Sequence, residues 1–104
     1  MNLDLEGKVA IITGGSDGIG KAAALSMSRE GARVAIAART EETLAQAASQ
    51  ISTETGNEVI GISADVSDEA QVESLIQQVA DKWGQIDIIV NNAGTSSVAR
   101  LEEM

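Results

Sequence analysis

The sequence predicts an α/β fold: a parallel β-sheet with helices packed on it, built in the order βαβαβαβ. Three observations lead there. Short Val- and Ile-rich segments alternate with longer ones whose apolar residues recur at helical spacing. Strands separated by helices of this length pair in parallel through crossover connections. Trp83 is the only aromatic residue, so the core must rest on Ile, Val, Leu and many alanines, which suits alanine-rich helices lying on a Val/Ile sheet.

Each element has its own signal. Residues 8–13 read as a first strand around Val9-Ala10-Ile11-Ile12. Residues 18 to about 31 read as a helix with Ile19, Ala22, Ala23 and Met27 on one face. Residues 33–38 form a second strand and residues 41–54 a second helix, with Leu44, Ala47, Ala48 and Ile51 at i, i+3, i+4, i+7. Thr40 is its expected N-cap, with Glu41 and Glu42 at the positive end of the helix dipole. Residues 58–62 read as a short third strand. Ser67 or Asp68 can cap a third helix running to about Trp83, striped by Val72, Leu75, Ile76, Val79, Ala80 and Trp83. Trp83 there reads as core packing. Gly84 fits the position just past the helix end. Residues 86–90 are mostly apolar, as a strand covered on both faces should be. No proline interrupts any element.

Composition narrows the chemistry. The 104 residues suffice for one small domain. With no cysteine and no histidine, disulfides, thiolate nucleophiles, a zinc site and a Ser-His-Asp triad within these residues are not expected. A net charge of −9 disfavours nucleic-acid or anionic-membrane surfaces, which need clustered Lys and Arg. The N-terminus lacks the basic and apolar regions of a signal peptide, and no apolar run reaches about 18 residues. A cytoplasmic protein is the expectation.

The residues joining the first strand to the first helix are the most informative. Gly14-x-x-x-Gly18-x-Gly20 places glycines where a strand turns into a helix. The first permits the tight turn, the second lets backbone approach a pyrophosphate, and the third allows close helix–strand packing. A phosphate-binding P-loop nearly overlaps it as Gly15-x-x-x-x-Gly20-Lys21, but the Ser or Thr that would hold Mg²⁺ is replaced by Ala22. Folds that take NAD carry Asp or Glu at the end of the second strand to bind the ribose 2′-hydroxyl. Here that strand ends Ala37-Ala38-Arg39. A guanidinium suits a 2′-phosphate instead, so NADP(H) is favoured over NAD(H).

Thr13-Gly14-x-x-x-Gly18-x-Gly20, Asp65-Val66 after the third strand, and Asn91-Asn92-Ala93-Gly94 after the fourth occur in this order on these elements. Together they resemble the short-chain dehydrogenase/reductase family. The resemblance implies a Rossmann-type sheet of strand order 3-2-1-4, an NAD(P)-binding portion spanning residues 1–104 and cut before its second half. It implies that Gly14, Ser16, Asp17, Gly18, Ile19 and Gly20 surround the pyrophosphate, and that Arg39 meets the 2′-phosphate. Asp65 through its side chain and Val66 through its backbone would contact adenine. Asn92, Ala93 and Gly94 would line the ribose on the nicotinamide side. Asp17 departs from the pattern: many NADP-preferring relatives carry Lys or Arg there. Asp65 could equally cap the turn into the third helix, and Asn91 and Asn92 could be turn residues satisfying local backbone.

The resemblance further implies hydride transfer between a nicotinamide cofactor and a carbonyl/alcohol pair, in a parent enzyme that is a homo-oligomer. The family's Ser, Tyr and Lys do that chemistry, with Tyr-x-x-x-Lys supplying the proton donor. This sequence has no Tyr, and Ser96, Ser97, Lys8, Lys21 and Lys82 do not match the family's catalytic positions. Residues 101–104 read as the approach to a further helix. The chain therefore reads as the N-terminal half of such an oxidoreductase, inactive alone, with its fourth strand as an apolar sheet edge. A non-catalytic dinucleotide-binding module is the alternative.

Overall fold

The computed structural model describes residues 5–14 and 18–91, with Ile19 and Glu41 described through their backbone alone. The elements run β1 (Val9–Thr13), α1 (Gly18–Arg29), β2 (Arg33–Ala38), α2 (Glu41–Thr55), β3 (Val59–Ser63), α3 (Glu69–Trp83) and β4 (Ile88–Asn91). All strands are parallel and the sheet order is β3-β2-β1-β4, as the resemblance implies. Ile11 sits opposite both Ala35 of β2 and Ile89 of β4, which fixes β1 at the centre.

Strand periodicity divides the core between two faces. Ile12, Val34 and Ile36 point to one face, where they meet Ala24 of α1 and Leu44, Ala47, Ala48 and Ile51 of α2. Val9, Ile11, Ala35 and Ala37 point to the other, against Leu75 and Val79 of α3. All five residues of β1 are buried, so the strand reads as a continuous apolar run because both its faces are covered. Fully burying one such Ile, Leu or Val side chain contributes about 1.5–3 kcal/mol.

The helix ends are set by local chemistry. Asp68 caps α3, its carboxylate accepting from the backbone N–H of Ala70 and Gln71. Gly84 follows at φ 79°, and its N–H closes the helix on the Ala80 carbonyl. Thr40 occupies the N-cap position of α2 as expected, yet its side chain makes no capping hydrogen bond.

Other expectations are corrected. Helix α1 ends at Arg29, β3 ends at Ser63, and β4 begins at Ile88. Residues 86 and 87 lie outside β4 because the Asp87 carboxylate accepts from the N–H of Val9 and its own N–H donates to the Val9 carbonyl. On α1 the buried face carries Gly20, Ala24 and Ser28, not Ala22, which is exposed, while Ala23 and Met27 flank it. Small residues at i, i+4, i+8 let α1 lie close to the sheet, a signal that reading for larger apolar residues misses. Ser28 is buried and pairs its hydroxyl with Thr55 at 2.7 Å, and Asn57 Nδ2 donates to its carbonyl. Ile76, expected in the α3 stripe, is 36% exposed. Trp83 packs with the second core as expected, but its indole N–H is buried with no acceptor among the described residues.

Gly61 marks a close approach of α2 to β3. A Cβ placed there would lie 2.9 Å from Leu44 Cγ and 3.2 Å from the Leu44 carbonyl oxygen. Gly61→Ala is expected to destabilise the fold by about 1–3 kcal/mol through this overpacking. Chemical denaturation measures it, and an unchanged midpoint would contradict the packing described.

Candidate functional site

The site is built at the carboxyl ends of the strands. The connection leaving β1 enters α1 on one face and leads to β2, whereas the connection leaving β3 enters α3 on the other face and leads to β4, so the strand order reverses beside β1. Connections that leave a parallel sheet on opposite faces open a crevice at that point of the strand order, and ligands of open α/β sheets bind there.

Gly14 follows β1 at φ 71°, and its N–H donates to the Ala37 carbonyl at 2.6 Å. Gly18 opens α1 at φ 55°, with no described residue within 4 Å of where a Cβ would stand. This left-handed backbone favours glycine. Gly20 is buried, in keeping with close helix–strand packing. Ser16, Asp17, Asn92, Ala93 and Gly94 lie outside the described residues, as do Ser96, Ser97 and the helix expected after residue 101. Lys21 donates to Gln50 of α2. It is thereby engaged on the helical layer, which weakens the P-loop alternative that needs it at the phosphates.

Arg39 stands exposed just past β2. Its carbonyl accepts from Ser63 Oγ at 3.3 Å, joining it to the end of β3. Its guanidinium makes no ion pair or hydrogen bond among the described residues, whereas Arg29 and Arg33 are paired with Glu54 and Glu58.

Asp65 and Val66 form the turn between β3 and α3. Asp65 Oδ1 accepts from Ser67 Oγ at 2.7 Å and from Ser67 N–H at 3.0 Å. These two bonds, the hydroxyl first, hold the Asp65 carboxyl below its ordinary value of 3.8; desolvation opposes them, and the positive charge of Arg39 adds the smallest contribution. Oδ2 of Asp65 and the N–H of Val66 have no partner among the described residues. The turn therefore presents an acceptor and a donor side by side in sequence. Asp65 also shapes the turn entering α3, while Asp68 is the cap itself.

Two residues that the motif reading did not assign join β1 to β4. Thr13 Oγ1 donates to Asn91 Oδ1 at 3.0 Å and lies 3.3 Å from the Val90 carbonyl. The pairing register places them opposite one another, so the loops after β1 and β4 start from one clasp. Trp83, at the far end of α3, packs against the core cluster that includes Val9, Leu75 and Val79, remote from the carboxyl ends of the strands.

This arrangement sits on a Rossmann-like parallel α/β sheet. The sequence model of the short chain dehydrogenase family matches residues 8–104, and the chain belongs to that family. It is 42% identical over 100 residues to the sorbitol dehydrogenase of Cereibacter sphaeroides, covering 96% of this chain and 38% of that protein. It is similar to the L-sorbose reductase of Gluconobacter frateurii, solved with NADPH and L-sorbose, at 38% identity and a TM-score of 0.87. That match covers 100% of this chain and 40% of the reductase. A NAD⁺-bound xylitol dehydrogenase is similar at 34% identity and a TM-score of 0.83, covering 88% of this chain and 35% of that one. The chain thus spans about two fifths of the length of these relatives. Among the described residues no helix is long and apolar enough to cross a membrane.

The lowered Asp65 pKa has a defined sign. The carboxylate is favoured by the fold, so its contribution is complete above the ordinary value and is lost only as pH falls through the lowered one. Ser67→Ala is expected to move the Asp65 pKa up toward 3.8, read by NMR titration of its carboxyl carbon. An unmoved titration would contradict the assigned cause.

Proposed function

We propose that this chain binds NADP(H) across the carboxyl end of its sheet, as the cofactor-binding portion of a short-chain oxidoreductase acting on a carbonyl/alcohol pair. The observation that carries the NADP(H) preference is Arg39, a guanidinium with no ion pair or hydrogen bond among the described residues, where NAD-binding folds place a carboxylate. Planar N–H donors match a 2′-phosphate in both charge and geometry. The NADPH in the L-sorbose reductase supports this reading, and the NAD⁺ in the xylitol dehydrogenase supports the alternative, NAD(H), in the same cleft.

Each residue then has a role. Gly14, Ser16, Asp17, Gly18, Ile19 and Gly20 surround the pyrophosphate, using the left-handed glycines and the α1 N-terminus. Asp65 Oδ2 accepts from the adenine amino group and the Val66 N–H donates to a ring nitrogen, the one acceptor-plus-donor pair that the turn leaves open. Asn92, Ala93 and Gly94 line the nicotinamide-side ribose, and the Thr13–Asn91 clasp sets where their loop begins. The bound cofactor supplies or accepts the hydride. Proton transfer to the substrate oxygen needs an acid, and the chain has no Tyr to provide the family's donor. We therefore propose no turnover from these 104 residues alone, which keeps a dinucleotide-binding module as the second reading.

Calorimetric titration of the chain with NADPH and NADH tests both statements. NADPH is expected to bind more tightly, and Arg39→Ala to weaken NADPH by about 10- to 100-fold, the range of one lost charge-assisted hydrogen bond. NADH affinity should change little. Equal losses for both cofactors would contradict the assignment of Arg39. Oxidation of NADPH above background with a ketone present would contradict the absence of turnover.

A further inference from the structure

We propose that Gln71 is a positioning residue for the adenine end of the cleft, acting through the backbone of Asp65 and Val66; the proposal rests on the dinucleotide reading above. Gln71 lies three residues past the Asp68 cap, where a Gln ordinarily reaches back to the N–H of the cap residue itself. Here that N–H is already taken, since Asp68 N donates to the Asp65 carbonyl at 3.0 Å. The Gln71 side chain reaches further. Its Oε1 accepts from the Asp65 N–H at 2.8 Å, and its Nε2 donates to Asp68 Oδ2 at 3.2 Å. One amide thus spans the whole turn from the end of β3 to the start of α3.

The consequence is a turn with almost no polar freedom left. The Asp65 N–H is held by Gln71, its carbonyl by Asp68, and its Oδ1 by Ser67. Of the Asp65 polar atoms, Oδ2 alone has no partner among the described residues, and the neighbouring Val66 N–H is likewise open; this acceptor and donor complement the amino group and adjacent ring nitrogen of adenine. Fixing these two groups before the ligand arrives lowers the ordering cost of binding. Without the Gln71 acceptor the Ala64–Asp65 peptide can rotate, and with it the Asp65 Cα that carries the carboxylate and leads into Val66. Sequence spacing hides this role, because Asp68-x-x-Gln71 reads as an ordinary capping pair.

Gln71→Met removes both ends of the amide while keeping side-chain length and helix propensity. Gln71→Ala is the second variant and carries the same expectation. Each is titrated calorimetrically with NADP⁺ and with 1,N6-etheno-NADP⁺, whose adenine edge is blocked. NADP⁺ affinity should fall about 5-fold, the size of one lost hydrogen bond, and etheno-NADP⁺ affinity by less than about 2-fold. Equal losses for both ligands would reduce Gln71 to a structural role and overturn the proposal alone. An unchanged NADP⁺ affinity would overturn it too. A wild-type chain that binds neither ligand would overturn the dinucleotide reading together with it.

Discussion

Strand β1 has β2 on one edge, β4 on the other, and five consecutive residues hidden from solvent. A strand buried in this way satisfies its backbone only through both neighbours and its side chains only through both faces. The helices answer that demand: α1 and α2 cover one face, α3 the other. Covering both faces from one central strand makes successive connections part in opposite directions, and the cleft opens where they part. The position of the site is therefore a consequence of how the core is closed.

Polar chemistry at the cleft is economical. The chain carries a net charge of −9, so its overall field does not attract an anionic cofactor. Under the proposed reading local groups must do so, and Arg39 is an exposed guanidinium with no ion pair or hydrogen bond among the described residues. It is exposed, so its attraction is screened by salt, and its value lies in geometry and hydrogen bonding. The other groups offer shape: left-handed glycines at 14 and 18, and a turn at Asp65 pinned at nearly every polar atom. Across the sheet, Thr13 and Asn91 tie the two loop origins together.

Much of this was legible in the sequence, because periodicity and glycine spacing report directly on backbone geometry. The strand and helix order, the α2 stripe of Leu44, Ala47, Ala48 and Ile51, and Gly84 past α3 all follow from local signals, whereas the two-face burial expected of β4 is found in β1, and β4 itself is only half-buried. The misses have physical reasons. Helix α1 packs through Gly20, Ala24 and Ser28, where smallness and not hydrophobicity is selected. Thr40 looks like a cap, but a hydroxyl also needs the right rotamer, and here it makes no capping bond. The roles of Asn91 and Gln71 depend on partners distant in sequence or one turn away, which no spacing rule encodes.

The central claim is that a nicotinamide dinucleotide occupies the carboxyl end of this sheet. Backbone amide mapping by NMR during titration with NADPH tests it most directly. Shifts are expected at Gly14, Arg39, Asp65, Val66 and Asn91, while Gly7, Gly31 and Gly84 at the opposite end stay still. Shifts confined to that opposite end, or none at saturating NADPH, would contradict the account.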